Sequence, residues 1–573
     1  MRNYIILFTL FTIPCCLSAQ NTNPIVGSGK AVDPYHYTII KSQEFAHASV
    51  VSAHPLASMV GAEIMKRGGN AFDGAVATQL VLAVVFPGAG NIGGGGFMVA
   101  RKKDGKTIAV DFRETAPAKA SRDMYLDKDG NVINNLSLAG HLASGVPGSV
   151  AGLFAEAQYA NLPFKILIQP AIDIAENGFV LTERQAAGLN SAKASFIKNS
   201  TKSSAYIKEI KWKAGDTLIQ KELAATLKRI RDLGQKGFYE GTTAQLIVDE
   251  MQRGNGIISL DDLKNYKVKT RTALEFDYKG YTIIGMPPSS SGGIIVCQLM
   301  KMIKDKPIAT DGFQSVAAVQ LMVEAERRSF ADRAEYMGDP DFWKVPIKTL
   351  TSDKYLQGRM ADYDPTKATP STNVKAGIIK ESTQTTHFNV IDKDGNMVAV
   401  TTTLNGTFGS KTVVGGAGFL MNNEMDDFSS KPGVPNMYGA LGGDANAIQP
   451  GKRMLSAMSP TLALKNGKPY IVTGTPGGTT IPTSVFQTLV NIIEFDMNAT
   501  DAVNKPKFHH QWQPDEISLE KGFPDDVKKK LEAMGYKTKT ISEIGRTEVI
   551  KILADGTRQT AGDKRGEDSV AGY

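Results

Sequence analysis

Two clusters of threonine lie near residue 390 at a spacing that suits chemistry at one end of a β-hairpin. The segment ESTQTTHFNVIDKDGNMVAVTTTLNG, residues 381–406, places Thr385 and Thr386 directly before the apolar run HFNVI, and residues 401–403 directly after the run MVAV. The loop DKDGN between the two runs predicts a hairpin. Hydroxyl groups at the start of a strand can serve as nucleophiles if a base lies close by.

The register of the hairpin predicts which threonines meet. If Ile391 pairs with Met397 across the loop, then Thr385 pairs with Thr403. Paired residues have Cβ atoms roughly 4.5–5.5 Å apart, close enough for a Thr–Thr hydrogen bond. Threonine is also common in strands, so the pairing by itself does not indicate catalysis.

A threonine hydroxyl needs a base, and the sequence offers two. His387 lies two residues beyond Thr385, on the same face of the strand. Alternatively, cleavage before Thr385 would create an α-amine with a pKa of roughly 7.7–8.0, which can act as the base for its own side chain. The GxSxG, HExxH, CxxC and P-loop motifs are absent from the sequence, which excludes the enzymes that they mark.

The elements around these residues form an alternating α/β pattern. Paired helices are predicted from Pro55 to Gly68 and from Ala71 to Pro87, then a hairpin that ends just before Arg113. Residues 150–270 are mainly helical, with a capping box in SLDDL. Further elements follow in chain order: a strand over 278–286, the helix IIVCQLMKMI, a helix over 314–337, the strand PYIVTGT and the helix TSVFQTLVNII. Residues 358–384 are rich in turn formers and are predicted to be a loose, exposed connector that ends at Thr385.

Several long motifs carry a resemblance to a known family. In the C-terminal part they are TTHFNVIDKDGNMVAVTTTLN, FLMNNEMDDFSSKPGVPNMYGALGGDANAI, KRMLSAMSPT, TGTPGG and FHHQWQPDE. In the N-terminal part they are NAFDGAVAT, GNIGGGGFM, DFRETAP, GVPGSVAG and PPSSSGG. Together they resemble the γ-glutamyltranspeptidase family, in the expected order and over essentially the whole mature chain.

The resemblance implies a fold and a maturation step. The fold is that of N-terminal nucleophile hydrolases, an α/β αββα sandwich with two central antiparallel sheets. Autocatalytic cleavage at Gln384–Thr385 would give a large subunit, 20–384, and a small subunit, 385–573, which stay together as one interlocked heterodimer. Family members transfer γ-glutamyl groups from glutathione and similar compounds to water, amino acids or dipeptides.

The resemblance also assigns catalytic roles. It implies that Thr385 is the nucleophile, that Thr403 hydrogen-bonds to it, and that Gly477 and Gly478 supply N–H groups to the oxyanion. Such preorganised donors are worth about 3–4 kcal/mol each in acyl transfer. A glycine pair taken alone would indicate only a turn.

A γ-glutamyl group ends in an α-amino acid, so its site needs groups of both charges. Arg113 matches the family's ligand for the α-carboxylate, which a guanidinium grips in a bidentate pair. Asn405, Glu424 and Asp427 match the ligands of the α-ammonium. Without the resemblance, NNEMDDF would be interpreted as a solvated acidic turn.

Two further positions matter for the substrate. Ser456 should assist Arg113, but the next residue is Ala457 where the family has a second serine, so one hydroxyl donor is lost. Residues 430–443 resemble a lid loop, and their Gly and Pro content suits a mobile flap with Tyr438 over the site. His509 and His510 have no metal-ligand partners at useful spacing, so neither a metal nor another cofactor is expected.

The N-terminus predicts export. Residues 1–19 have a basic start, a short apolar stretch and small residues before the cut, which together indicate a signal peptide and a periplasmic or secreted protein. A lipoprotein anchor at Cys15 or Cys16 is the alternative, but the residues before them do not suit it. No later stretch is apolar enough to span a membrane, so no membrane anchor is expected.

Composition excludes other classes and leaves one cysteine. The chain of 573 residues carries 65 basic and 58 acidic residues mixed along its length, which does not indicate nucleic-acid binding. After removal of the signal peptide only Cys297 remains, so no internal disulfide can form. Its place on an apolar helical face indicates a buried core residue more than a catalytic one.

Two other functions remain open at this stage. One is a glutaryl-cephalosporin-type acylase of the same fold, whose substrates lack the α-amine. Asp427 argues against it, because a buried carboxylate without a cation is costly. The other is a binding protein for γ-glutamyl peptides that never matures. The complete set of Thr385, Thr403, Gly477 and Gly478 argues against that function.

Overall fold

The computed structural model of the chain describes residues 24–28, 30–375, 386–429, 431 and 443–573. The strands of this part are β1 Ser42–Phe45, β2 Ser49–Ser52, β3 Gly95–Arg101, β4 Thr107–Asp111, β5 Phe179–Val180, β6 Thr217–Leu218, β7 Lys269–Arg271, β8 Leu274–Tyr278, β9 Tyr281–Gly285, β10 Thr386–Ile391, β11 Met397–Thr403, β12 Thr461–Lys465, β13 Lys468–Gly474, β14 Phe508–His509, β15 Ile517–Glu520, β16 Thr538–Ile541, β17 Glu548–Ile552, β18 Arg558–Ala561 and β19 Ser569–Gly572.

The α-helices of the same part are α1 Pro55–Lys66, α2 Ala71–Val85, α3 Ser149–Ala157, α4 Phe164–Asn177, α5 Glu183–Asn199, α6 Lys221–Leu233, α7 Lys236–Tyr239, α8 Gly241–Arg253, α9 Leu260–Asn265, α10 Gly292–Ile303, α11 Ile308–Asp311, α12 Val316–Tyr336, α13 Ile347–Leu350, α14 Asp353–Arg359, α15 Thr480–Ile493, α16 Ala499–Asn504 and α17 Asp525–Ala533.

Two antiparallel sheets form the centre of the molecule. One sheet has the order β1-β18-β17-β13-β12-β9-β8, and the other has the order β19-β2-β10-β11-β3-β4-β7. Side chains from both sheets meet in one apolar cluster, to which Phe97, Ile391, Met397 and Val472 belong. The two sheets therefore pack face to face, as predicted.

Helices cover the outer faces of both sheets. A second apolar cluster joins the β2/β10/β11/β3 face to α1, α2, α4 and α6, and a third joins the other sheet to α10, α12 and α15. Helix α2 is buried along its full length. It is apolar all round because it lies between a sheet and a further helical layer. This is the αββα sandwich that the resemblance implied.

Local signals set the helix ends as expected. Pro55 is the first residue of α1, and a capping box between Asn70 and Asp73 starts α2. The predicted box in SLDDL is present, with Ser259 as the cap of α9. Cys297 is fully buried in α10, and burial raises the pKa of its thiol to about 12.

The predicted connector over 358–384 is exposed or half-buried over residues 358–370, as expected, but residues 371–374 are anchored and not loose. Ser371 and Val374 are buried, and the indole Nε1 of Trp512 donates to the carbonyl oxygens of both, at 3.0 Å each. The Ser371 N–H also donates to Asp515 at 2.8 Å. Turn-forming residues here stabilise an anchored segment, because hydrogen bonds to a distant part of the chain replace regular secondary structure.

Candidate active site

The hairpin of β10 and β11 has the predicted register. Ile391 pairs with Met397 and Thr386 pairs with Thr402. The described register ends at this last pair, so the predicted pairing of Thr385 with Thr403 stays a prediction. Thr385 itself, like Gln384 at the expected cleavage bond, lies outside the described residues, and so do the signal peptide and Tyr438.

The pleat of the hairpin divides its side chains between the two faces. Phe388 and Val390 belong to the apolar cluster under α2. His387 faces the other sheet, because a side chain on Gly474 of β13 would collide with the imidazole ring. Successive residues of a strand alternate between faces. The odd-numbered residues of β10, from His387 to Ile391, therefore face the space between the sheets.

His387 is held in a closed set of hydrogen bonds. Its Nδ1 lies 2.9 Å from the Thr401 hydroxyl and its Nε2 lies 2.8 Å from the amide oxygen of Asn389. Burial lowers the pKa of His387 to about 4. The ring is neutral at mild pH and both of its nitrogens are engaged, which favours a structural role.

Asn91 links the glycine-rich loop to the end of β11, a role that sequence inspection missed. Its Nδ2 donates to the Thr403 carbonyl at 2.8 Å, and its Oδ1 accepts from the Gly94 N–H at 2.9 Å. The same Oδ1 accepts from Ser149 at 2.6 Å. In the NIGGGG motif Asn91 stands out as a polar residue next to four glycines. The motif alone does not predict which groups the Asn91 side chain hydrogen-bonds to.

The Thr403 hydroxyl has a defined partner. The backbone N–H of Asn405 donates to it at 2.8 Å. Asn405 has a positive φ of 71°, and its Nδ2 donates to the Asn423 carbonyl at 2.9 Å. The end of β11 is thereby joined to the segment that contains the acidic residues.

Gly477 and Gly478 form the turn between β13 and α15. Their φ angles are +141° and +61°, and the first carbonyl accepts from the Thr480 hydroxyl at 2.8 Å. No described residue accepts a hydrogen bond from either glycine N–H. These amides near the start of a helix form a suitable anion site.

Arg113 lies at the centre of a buried ion cluster. Its side chain is 1% exposed, and its Nη1 and Nη2 donate to Glu424 and Asp427, respectively. Its Nε donates to the Met454 carbonyl at 3.3 Å. Arg113 and the acidic residues predicted to complement it are therefore in direct contact.

Glu114 adds a third carboxyl group that the sequence analysis did not select. Its Oε2 lies 3.7 Å from Arg113 Nη1. Burial raises the pKa of Glu114 to about 7, against the attraction of Arg113. Burial also raises the pKa values of Glu424 and Asp427, with Arg113 opposing the shift in both. Three carboxyl groups therefore share the central guanidinium of Arg113, and burial favours the neutral form of each.

Ser456 lies beside this cluster on an extended loop. Its hydroxyl accepts from the Met458 N–H at 3.1 Å. Its carbonyl accepts from the Ser291 hydroxyl at 2.7 Å, and that hydroxyl accepts from Arg333 Nε at 2.7 Å. Burial lowers the pKa of Arg333 to about 9, while the charge of Asp427 opposes the shift. Arg333 is a second guanidinium near the cluster, and the helical pattern of α12 gives no hint of it.

The described residues do not include a group of three or more His, Cys, Asp or Glu side chains arranged for a metal ion. His509 contacts the Thr483 hydroxyl and the Gln511 amide oxygen, at 2.9 Å each. The backbone N–H of His510 donates to Glu326 Oε2 at 2.8 Å. Both rings are buried, and burial lowers the pKa of each to about 4.

Known proteins resemble this chain along most of its sequence. The family model described as Gamma-glutamyltranspeptidase matches residues 57–573. A glutathione hydrolase proenzyme of Escherichia coli (strain K12) is 47% identical over 570 residues, which covers 97% of this chain and 97% of the relative. An Acylase ACY 1 proenzyme of Pseudomonas sp. (strain SE83) is 35% identical over 518 residues, 89% of this chain and 90% of the relative.

The structural comparison identifies the fold. The crystal structure of a cephalosporin acylase from Bacillus halodurans matches with a TM-score of 0.82 at 24% identity, over 99% of each chain. The predicted N-terminal nucleophile hydrolase fold is thereby confirmed. The family model covers most of the sequence, which confirms the resemblance, and the chain belongs to the γ-glutamyltranspeptidase family.

Proposed function

We propose that this protein is an exported γ-glutamyltransferase and glutathione hydrolase that cleaves its own Gln384–Thr385 bond. Its donors are glutathione and other γ-glutamyl compounds, and its acceptors are water, amino acids and dipeptides. Removal of residues 1–19 and the internal cut leave the large subunit 20–384 and the small subunit 385–573 as a heterodimer. The curated relatives named glutathione hydrolase proenzyme support this assignment.

The observation that carries the proposal is the buried contact of Arg113 with both Glu424 and Asp427. An α-amino acid group brings one carboxylate and one ammonium. The substrate carboxylate forms an ion pair with the Arg113 guanidinium and displaces Glu424 and Asp427 from it. The substrate ammonium then pairs with these two carboxylates. Every buried charge then keeps a partner, which avoids the cost of an isolated buried ion.

The chemistry follows from the positions around the hairpin end. The Thr385 hydroxyl attacks the γ-carbonyl carbon, and its own α-amine accepts the hydroxyl proton. The N–H groups of Gly477 and Gly478 stabilise the oxyanion. The amine passes the proton to the departing amine, which leaves an ester on Thr385. Water or an acceptor amine then attacks this ester and releases the γ-glutamyl group.

The acylase alternative is supported by a relative of lower identity and by the shared fold. A glutaryl side chain has no ammonium, so it would leave Glu424 and Asp427 without the cation that the exchange requires. The buried acidic excess therefore favours γ-glutamyl substrates. The binding-protein alternative gives no reason for the amides of Gly477 and Gly478, which donate to no acceptor among the described residues.

The test is maturation of the purified chain. We expect two bands on a denaturing gel, a smaller band whose first residue is Thr385, and release of glutamate from glutathione. Thr385→Ala should remain one chain without activity. Thr386→Val is the matched control, because the Thr386 hydroxyl is buried and has no hydrogen-bond partner among the described residues. A different N-terminal residue, or normal processing of Thr385→Ala, would refute the proposal.

A further inference from the structure

The end of α5 and the segment that follows it carry lysines and exposed isoleucines side by side. Residues 193–213 contain six lysines, and Glu209 is their one acidic residue. Ile210 and Ile197 are 71% and 58% exposed, which places both among the three most exposed large hydrophobic residues of the described chain. A single exposed isoleucine needs no explanation, but two of them within one basic segment indicate an interaction surface.

Hydrogen bonds hold this segment against α5. The backbone carbonyl and N–H of Trp212 both bond to the Asn190 side chain, at 2.8 and 2.9 Å. Lys193 Nζ donates to the backbone carbonyls of Lys208 and Glu209, at 2.5 and 3.0 Å. Because later residues of the segment contact earlier residues of the helix, the segment runs back along α5.

This register brings the two isoleucines to the same anchored lysine. Ile197 lies one turn of α5 after Lys193, so the two side chains lie on one side of the helix. Ile210 directly follows Glu209, whose carbonyl accepts from Lys193. Both exposed isoleucines therefore belong to one surface, although 13 residues separate them in the chain.

Three lysines next to the isoleucines keep their charges uncompensated. Lys198, Lys211 and Lys213 are exposed, and none of them forms an ion pair with a described residue. Asp216, the next acid along the chain, is already paired with Lys208 Nζ at 2.7 Å. The surface, called here the lysine–isoleucine patch, is thus positive and partly apolar, and it consists of Ile197, Lys198, Ile210, Lys211 and Lys213.

We propose that the lysine–isoleucine patch binds the surface of an anionic phospholipid bilayer. Lipid phosphates attract the lysine ammonium groups, while the isoleucines enter the boundary between headgroups and acyl chains. A nucleic acid or an acidic polysaccharide would pair with the lysines but would leave the isoleucines in water. With two aliphatic side chains and three charges the contact is peripheral and reversible. The inference goes beyond the proposed function and does not rest on it.

Co-sedimentation of the purified protein with vesicles tests the charge requirement. The vesicles are phosphatidylcholine alone, or phosphatidylcholine with an equal part of phosphatidylglycerol. We expect binding to the mixed vesicles only, weakening as the salt concentration rises above about 0.1 M because ions screen the charges. Lys211→Glu with Lys213→Glu should lower the binding constant about tenfold or more. Lys529→Glu with Lys537→Glu, at exposed positions elsewhere, changes the net charge equally and should retain binding.

The isoleucines distinguish a bilayer from a polyanion in water. Ile197→Ser with Ile210→Ser keeps every charge, and we expect it to weaken binding to the mixed vesicles about fivefold or more. Leu233→Ser is the matched control, because this leucine at the end of α6 is 63% exposed and lies outside the patch. In a separate measurement, brominated lipid should quench the tryptophan added by Ile210→Trp but not the one added by Leu233→Trp.

Three results would overturn the inference. The first is no binding of the wild type to the mixed vesicles, and the second is an equal loss in the lysine pair and its control, which would mean that only net charge matters. The third is unchanged binding of the isoleucine variant, or binding of Ile210→Trp without quenching, which would assign the patch to a polyanion such as a nucleic acid. If a serine or glutamate variant fails to fold, as thermal unfolding would show, the quenching of Ile210→Trp decides the question.

Discussion

At the scale of single residues, our proposal makes the charges around Arg113 the groups that decide what the site can bind. Glu424 and Asp427 are acids that burial alone would protonate, and Arg113 opposes that shift in each. Such a cluster is stable only while its charges are paired. Substrate selection therefore depends on the charges of the incoming group. A group with a carboxylate and an ammonium gives a new partner both to Arg113 and to the acids, whereas a group with a carboxylate alone gives one only to Arg113.

Asp427→Asn should change the choice of substrate more than the general activity. We expect a loss of kcat/KM on γ-glutamyl-p-nitroanilide at least tenfold greater than the loss on glutaryl-p-nitroanilide, because the amide no longer offers a charge to the ammonium. Asp444→Asn is the matched control, since that carboxylate is 63% exposed and pairs with Arg122 at the surface. Equal losses on the two substrates would show that Asp427 does not bind the ammonium.

The pH dependence should identify the base. If His387 accepted the proton, the acid limb of kcat/KM would lie near its pKa of about 4. If the free α-amine of Thr385 is the base, as proposed, we expect the limb near roughly 7.7–8.0, or somewhat lower if neighbouring positive charge favours the neutral amine. Glutaryl-p-nitroanilide, which has no ammonium of its own, removes the titration of the substrate from the profile. A flat profile between pH 5 and 9 would exclude the amine.

Sequence inspection succeeds where a residue belongs to a pattern and fails where it acts alone. The loop length and the apolar runs predict the register that pairs Ile391 with Met397 and Thr386 with Thr402, because one slip would expose buried side chains. Asn91, Glu114 and Arg333 are single polar residues that lie, respectively, beside the glycine-rich loop, in the irregular segment after β4 and in helix α12. Their roles depend on partners far away in the chain, so no local period reveals them.

At the scale of elements, the glycine-rich loop sets how closely β3 can approach the site. A Cβ atom on Gly94 would lie 2.0 Å from the Thr403 carbonyl oxygen, and one on Gly95 would lie 2.5 Å from Glu114. The first contact is with backbone, which cannot move without shifting β11. The loop is glycine-rich because side chains would separate the two strands that position the threonine and the ion cluster.

Gly94→Ala should therefore slow maturation and reduce activity together. Displacement of the end of β11 by even a fraction of an ångström misaligns Thr403, and misplacement of catalytic groups by about 1 Å costs on the order of 10²-fold in rate. The rate of subunit formation and kcat/KM on glutathione measure the effect. Gly358→Ala in α14 is the matched control, because an added Cβ there meets nothing within 4 Å and alanine favours a helix. Unchanged maturation of Gly94→Ala would show that β11 tolerates the shift.

At the scale of the whole molecule, the two-sheet body explains why so many ionisable groups are buried without loss of the fold. The space between the sheets and the layers beneath the helices exclude water, so a group held there is either neutral, like His387, or paired with an opposite charge, like Asp563 with Arg565. No helix among the described residues has the length and apolar character needed to cross a membrane.

The α/β order and the sandwich were predictable from alternating patterns and the resemblance, but the anchoring of residues 371–374 was not, because it depends on Trp512 and Asp515.

Buried histidines and buried carboxyl groups act on stability in opposite directions. Burial lowers the pKa of His54 to about 3 and of His387, His509 and His510 to about 4. Since an unfolded histidine titrates near 6.5, these groups reduce stability as pH falls from about 6.5 towards 4. A carboxyl group with a raised pKa keeps its proton in the folded state at pH values where the unfolded chain has already lost it. Such a group therefore reduces stability as pH rises.

Glu156 in α3 gives the clearest case of the second effect. Both of its carboxyl oxygens are buried without a hydrogen-bond partner among the described residues, and burial raises its pKa to about 8. Between the unfolded value of about 4.5 and pH 8, the unfolded state binds fewer protons at this position than the folded state does. Each pH unit inside that window costs the wild type about 1.4 kcal/mol.

Glu156→Gln removes this ionisation and keeps the shape. We expect the midpoint of thermal unfolding of the variant to rise relative to the wild type as pH increases from 5 to 8, with the smallest difference at the acid end. Glu532→Gln on α17, at an exposed position, should show a pH-independent offset. A Glu156→Gln difference that is constant across the range would mean that Glu156 ionises in the folded protein as readily as in the unfolded chain. The carboxyl group would then have access to water that the packing of α3 does not show.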